Sequence, residues 1–418
     1  MTPPTSGTTN PCGVSFLSYR RTAENSARAI IAAQRVRGIP TWRDCEDLDS
    51  EPSADALARV LESPDTANAV CWLTPDVEQS RVIRELEVPR ILKRAQSGDG
   101  FFAELVLADG LEYCTVDRAL EGATSPLMSL GSGWNLPKVQ GKGRDSDFRS
   151  IACRVLKRRM RAIGGGGSAR HLLRLHTRPD APLTASRDVA LQVDWSGHFS
   201  GRLAKAGAWE KYLLPALADI TTVLKQEEVK RPVLASGLCG LPAAFALGYA
   251  FREPSGLDLT WQQHTEDRLH DWSLQQPRES SGFRVTTREA NLDGSGVAVL
   301  IEVTSPVEPA MRNSEGLPSF RKVIRAEPES VGCPARIESP AQAASLAREL
   351  AAAIRRVRED VPAGTCFHLF LAGPVGLAVL VGQQLNAVGP VQTYEHDPDR
   401  GVYLPAALLT EHSFTPIP

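Results

Sequence analysis

Two stretches of this chain, RPVLASGLCGLPAAFALGYAF (231–251) and CFHLFLAGPVGLAVLVGQQL (366–385), have the same construction. Each runs from an apolar strand through a tight glycine-bearing turn into an apolar helix. A strand that turns directly into a helix belongs to parallel-sheet α/β architecture. The neighbouring segments repeat as well. From about residue 185, DVALQVDW predicts a strand, WEKYLLPALADITTVLKQ a helix, then the first glycine-turn stretch, then LDLTWQQ a strand. From about residue 286, VAVLIEVTSP predicts a strand, SLARELAAAIRRVRED a helix, then the second stretch, then VQTYEH a strand. The helix 345–360 carries Leu346, Leu350, Ile354 and Val357 on one stripe. The order strand, helix, strand-turn-helix, strand thus occurs twice, giving pseudo-repeats of about 185–285 and 286–418. Two such halves in one chain face each other across a pseudo-twofold axis, and their strand ends converge on a shared pocket.

Residues 12–163 carry a third α/β pattern. Val14–Ser18 predicts a strand, 24–37 a helix with Ala27, Ile30 and Ile31 on one face, and Ala69–Leu73 a strongly apolar strand. Gly38 and Pro40 stop the first helix, and Pro75 allows a further one over Val77–Leu86. Ile151, Val155, Met160 and Ile163 form the apolar stripe of a basic helix, its charged face expected in solvent. Gly164–Gly167 then break the pattern, so 164–184 is expected as a linker. A chain of 418 residues accommodates these divisions.

Composition narrows the function classes. The net charge of -2 argues against a generic nucleic-acid binder. No apolar run is long enough to span a bilayer, and the first residues lack a signal pattern. The eight cysteines contain no C-x-x-C pair, which suits reduced thiols in a cytoplasm and no metal centre.

Ligands of a parallel sheet bind beyond the carboxyl ends of its strands. Ser18, Tyr19, Arg20 and Arg21 lie at such an end, where arginines can fork onto phosphate oxygens. Trp42 heads an acidic loop holding Asp44 and Asp47; it either stacks on a ligand ring or caps the core, and Arg20 meets either a phosphate or one of those aspartates. In SRVIREL, Glu85 is either half of a surface ladder with Arg81 or a half-buried carboxylate at the cleft.

FLSYRR with its following amphipathic helix, GIPTWRDCEDL, and a strand leading to SRVIREL together resemble a TIR domain over roughly residues 12–145. The glycine common after the family's second strand is missing here. The resemblance implies a flavodoxin-like fold over 12–163 and either a protein-interaction adaptor or an enzyme that cleaves NAD+. In the enzymes a glutamate of that helix is catalytic, and position matching places it at Glu85. Ser18, Tyr19, Arg20, Arg21, Trp42, Asp44, Asp47 and Ser80 then become the NAD+ contacts, with no metal or cofactor needed. A carboxylate beside the ribose stabilises the oxocarbenium-like state as nicotinamide leaves.

Residues 185–418 are similar to the SAVED domain, most specifically in HLF-x-A-G-P and the later Tyr-Glu strand. That family is built from two fused CARF-like halves and binds small cyclic oligonucleotides. A TIR–SAVED fusion resembles a CBASS anti-phage effector answering a cyclic trinucleotide such as cyclic tri-adenylate. Its NAD+ hydrolase would be switched on by head-to-tail self-association or filament formation; a non-enzymatic signalling adaptor is the rival. On the repeat itself, strand ends offer Trp195, Ser196, Thr304 and Ser305, and the turns Ser236-Gly237 and Gly373-Pro374 offer free amides or simple packing. Arg202, Lys205 and Arg312 are the nearby cations, Tyr394 or His396 a stacking ring, and His368 a core histidine.

Overall fold

Every strand of the first sheet is parallel to its neighbours. The computed structural model describes residues 8–42, 53–120, 134–166, 168–181, 183, 186–265, 268–330 and 336–414. These residues form two units, Met1–Ser168 with Leu183–Val193, and Ala169–Pro182 with Asp194–Pro418.

In the first unit β1 (Val14–Tyr19), β2 (Thr41–Trp42), β3 (Thr66–Leu73) and β4 (Phe102–Leu107) form one sheet in the order β2-β1-β3-β4. This is the doubly wound order in which the chain reverses direction across the sheet beside β1. All eight residues of β3 are buried, as expected for a parallel strand covered on both faces. The helices are α1 (Glu24–Arg35), α2 (Ser53–Glu62), α3 (Val88–Ala95), α4 (Tyr113–Ala119) and α5 (Asp145–Gly165). The expected helix over Val77–Leu86 is instead a 3-10 turn at Pro75–Gln79 and a wider π-type turn at Ile83–Glu87. Pro89, which follows, has no N–H to offer the Glu85 carbonyl, and the Val88 amide bonds back to Ile83.

The basic helix α5 is not wholly solvated on its charged side. Arg159 is fully buried and donates to the Gly13 and Cys12 carbonyls at 2.6 Å each and to the Ala190 carbonyl at 3.3 Å. Burial holds its guanidinium down at about 10, against a Coulombic pull upward from Cys12. Replacing Arg159 by methionine would leave three carbonyls short of a donor, each worth about 1–3 kcal/mol. The expected result is a loss of several kcal/mol confined to the first unit's unfolding transition, read by urea titration.

The second unit holds two sheets of matching design. The first half supplies β5 (His171–His176), α6 (Leu214–Lys225), β9 (Val233–Leu238), α7 (Leu241–Ala250), β10 (Leu259–His264) and β11 (Leu269–Trp272). Between β5 and α6 along the chain come β6 (Leu191–Asp194), which belongs to the first unit up to Val193, and then β7 (Phe199–Ser200) and β8 (Leu203–Ala204). The second half supplies β12 (Phe283–Glu289), β13 (Gly296–Glu302), α8 (Glu308–Arg312), β14 (Phe320–Pro328), α9 (Pro340–Asp360), β15 (Cys366–Ala372), α10 (Val375–Gln384), β16 (Val391–Asp397) and β17 (Val402–Leu409). The run β11-β10-β9-β5 in one sheet answers β17-β16-β15-β13 in the other. In both, three parallel strands end in an antiparallel one. The counterpart of β13 is therefore β5, which lies inside the stretch 164–184 expected as a linker. DVALQVDW, expected in that role, instead supplies β6.

The halves meet where α7 crosses α10. A Cβ on Gly248 would stand 2.1 Å from the Val379 carbonyl oxygen, and one on Gly382 2.5 Å from that of Phe245. The same number of residues separates each glycine from the start of its helix, so the contact lies on the pseudo-twofold axis. Two bare backbones let the helices approach more closely than any side chain permits.

Candidate functional site

At the carboxyl end of β1 the first unit buries one carboxylate, but it is Glu87. Ser18 Oγ–H donates to Glu87 Oε2 at 2.5 Å, and both residues are buried. Burial first, then the neighbouring Glu87 charge, push the Cys71 thiol up, with the Ser18 hydroxyl opposing. Glu85 faces solvent with its side chain 55% exposed, accepting from Arg81 Nε at 2.7 Å. The expected half-buried position for Glu85 is not found, because the wide turn rotates Glu87 inward. Tyr19 donates to Glu24 at 2.8 Å, and the Ser80 hydroxyl accepts the Ile83 amide at 3.3 Å. Arg21 is exposed, whereas Arg20 reaches Asp76 at 3.4 Å. Burial would raise the Asp76 carboxyl, but hydrogen bonds from Thr74, Thr22 and Arg20 outweigh it and hold the group below its ordinary value. Trp42 stacks on Phe16, with ring centres 5.1 Å apart and planes 15° from parallel, so it caps the core. Asp44 and Asp47 lie outside the described residues.

In the second unit the carboxyl ends of β5, β9, β13 and β15 open on a crevice. It comprises two adjoining cavities of about 400 and 500 Å³ that share Arg202, Gly240 and Glu395. Arg178, Cys239, Thr304, Ser305, Gly373, His396 and Tyr403 line the smaller; Phe199, Lys205, Trp209 and Gln392 help line the larger. Arg178 follows β5 and Arg202 sits in the β7–β8 turn, so both cations depend on elements preceding α6. Among the described residues neither guanidinium has a carboxylate within ion-pair distance. Lys205 Nζ donates to the Gly197 carbonyl at 2.8 Å.

Of the expected ligand contacts, the crevice brings together Arg202, Lys205, Thr304, Ser305, Gly373 and His396. Pro374 caps α10 and lines a neighbouring cavity with Gly373. The others have different work. Trp195 is fully buried edge-on to Trp209, and Ser196 donates to Asp194 at 2.6 Å. Ser236 and Gly237 remain within β9, where a Cβ at Gly237 would strike the Leu175 carbonyl at 1.9 Å; the turn comes later, at Cys239-Gly240. Arg312 is exposed and pairs with Glu308 at 2.6 Å. Tyr394 is core: it stacks on Phe370 at 4.4 Å, and its hydroxyl meets His368 Nδ1 at 2.7 Å. Burial drops the His368 imidazole to about 4, the state of a neutral core histidine. Arg178, Gly240, Glu395 and Tyr403 are among the crevice residues that sequence reasoning passed over, as are Phe199, Trp209 and Gln392.

Fold and crevice together define a two-half α/β domain with Arg178 and Arg202 on a crevice at its strand ends. Residues 213–409, all within this unit, match the family model of SAVED, the SMODS-associated and fused to various effectors sensor domain. The chain is also similar in fold to the Acinetobacter baumannii Cap4 SAVED/CARF-domain containing receptor solved with the cyclic trinucleotide 3′3′3′-cAAA. There the identity is 13%, the coverage 82% of this chain and 88% of that one, and the TM-score 0.50. The Moraxella osloensis Cap4 receptor aligns over 94% of this chain and all of its own, at 14% identity and a TM-score of 0.41. No curated protein matches the sequence. No helix among the described residues is long and apolar enough to cross a membrane, and no cluster of His, Cys, Asp or Glu there can hold a metal.

Proposed function

We propose that the second unit is the sensor of a CBASS-type anti-phage effector and binds a cyclic oligonucleotide, of the cyclic tri-adenylate class, in the crevice. The observation that carries this is the pair Arg178 and Arg202 facing a strand-end cavity with no carboxylate within ion-pair distance, in the unit whose residues 213–409 match a sensor-domain family. Guanidinium forks suit the phosphodiesters of a small ring, and Thr304, Ser305 and the bare backbone at Gly240 and Gly373 supply further contacts. Calorimetric titration with 3′3′3′-cAAA tests it. Saturable binding at one ring per crevice is expected, and no heat with that ring or a panel of cyclic di- and trinucleotides rejects it.

The first unit is the effector in this proposal: a TIR-type NAD+ glycohydrolase releasing nicotinamide and ADP-ribose or its cyclic form. Its support is the doubly wound parallel sheet, the β1 end with Arg20, and the SRVIREL spacing. Ligand-driven head-to-tail association, open rather than closed, would assemble the active form, and light scattering with and without the ring follows it. A switch from about 1% to 99% assembled requires roughly 5.5 kcal/mol of preferential ligand binding. Glu85 carries the chemistry in this proposal, so Glu85→Gln is expected to cut nicotinamide release by about 100-fold or more with the fold intact. Glu87→Gln is the comparison: loss there alone, in a folded protein, moves the catalytic carboxylate to Glu87. The exposure of Glu85 in its Arg81 pair favours the rival reading, a signalling adaptor, and absence of NAD+ loss under all ligands selects it.

A further inference from the structure

Glu395 of β16 is 6% exposed, lines both cavities of the crevice, and takes no hydrogen bond or ion pair among the described residues. Its Oε2 lies against Gly240, where an added Cβ would stand 2.8 Å away. Buried carboxylates are normally paired, so one aimed unpartnered into a ligand cavity signals a missing donor. The pseudo-repeat names its counterpart. Strand registers pair Trp261 with Ala235 and Thr393 with Leu369, and Ala235 and Leu369 stand equally far before Gly248 and Gly382. Gln263 and Glu395 are therefore equivalent, and Gln263 Oε1 accepts the Gly376 amide at the start of α10 at 2.9 Å. The same position thus carries a satisfied amide in one half and an unsatisfied carboxyl in the other.

We propose that Glu395 is a specificity-determining residue that reads an adenine base of the bound ring as a neutral carboxyl. This rests on the cyclic-oligonucleotide reading above and deepens it. A protonated carboxyl presents one O–H donor beside one C=O acceptor, the complement of adenine N1 and its N6 amino group. Guanine presents donors at both N1 and N2 and suits a charged carboxylate instead. Burial lifts the Glu395 carboxyl to about 7, and Arg178 and Arg202 oppose that rise. Ring phosphates seated on those two arginines remove the opposition and add negative charge, so the bound state favours the proton further. Cys239 and Tyr403 also face Glu395, both pushed up by burial and neutral near pH 7, and Lys205 and Glu210 stand on the wall of the larger cavity. His396 also lines the crevice, and the test separates its contribution from that of Glu395.

The sign follows from proton uptake on binding. Affinity is full below about pH 7 and falls as pH rises through it, by about tenfold between pH 6 and 8. Calorimetry with 3′3′3′-cAAA on the full chain at both pH values reads this, with thermal melts showing that each variant folds. Glu395→Gln keeps the donor–acceptor pair, so it is expected to bind within about threefold of wild type and to lose the pH slope. Glu395→Ala is expected to lose about tenfold or more at pH 6. A slope that persists in Glu395→Gln assigns the titration to another group and overturns the proposal, as does Glu395→Ala binding like wild type. No wild-type binding of cAAA at either pH overturns the cyclic-oligonucleotide reading and this assignment with it.

Discussion

Gly248→Ala is expected to unfold the second unit at markedly lower denaturant while leaving the first unit's transition in place. The new methyl would meet the Val379 carbonyl oxygen at 2.1 Å, with the Gln383 amide nitrogen 3.1 Å away. Both are backbone atoms of an apolar helix buried on all sides, so neither can swing aside as a flexible side chain would. Relief requires α7 and α10 to separate by about 1 Å along their crossing, opening gaps in a core that packs without voids. Overpacking of this kind costs about 3 kcal/mol or more, and Gly382→Ala is expected to do the same from the opposite helix. Gly197→Ala, whose added methyl meets open space, is the control with no expected effect. Equal midpoints for Gly248→Ala and the control would mean that the crossing does not hold the two halves together.

Charge reversal in the crevice has the other large expected effect. Arg178→Glu with Arg202→Glu replaces two guanidiniums by carboxylates beside Glu395, turning an anion site into an anion-repelling one. Arg202 is exposed and Arg178 half-buried, so losing each charge-assisted contact to a phosphate costs about 1.5–3 kcal/mol, or about 10- to 100-fold in affinity per arginine, and like charge adds to it. Arg202 lines both cavities whereas Arg178 lines one, so Arg202→Glu alone is expected to be the more damaging single change. The double variant should show no detectable heat with 3′3′3′-cAAA while melting as wild type. Arg312→Glu, which alters an exposed residue outside the crevice, should bind normally.

Much of the architecture was legible because it rests on local signals. The apolar run of β3, the stripe of α9 and the two strand-turn-helix stretches each declare their elements within one window of sequence. β5 was not legible. HLLRLH mixes three polar with three apolar residues shortly after a glycine run, and a central strand of that composition is stable only through tertiary partners. His171, fully buried, meets Glu227 at 2.8 Å, a contact 56 residues away along the chain. Missing β5 also hid Arg178, which follows it. Helical periodicity left Glu85 open between a surface pair with Arg81 and the cleft, and position matching chose the cleft; the structure has the surface pair, because the turn before Pro89 widens and brings Glu87 inward. In YEH the two rings attract attention as stacking partners. A carboxylate among phosphate ligands is electrostatically unfavourable unless it carries a proton, and burial deep enough to put one there shows only in three dimensions.

The most direct measurement follows NAD+ loss in the full chain with and without 3′3′3′-cAAA, in wild type and in the Arg178→Glu, Arg202→Glu variant. A sensor at this crevice controlling a glycohydrolase predicts nicotinamide release in wild type only when the ring is present, and none from the variant. Release that is independent of the ring, or that survives in the variant, would contradict it.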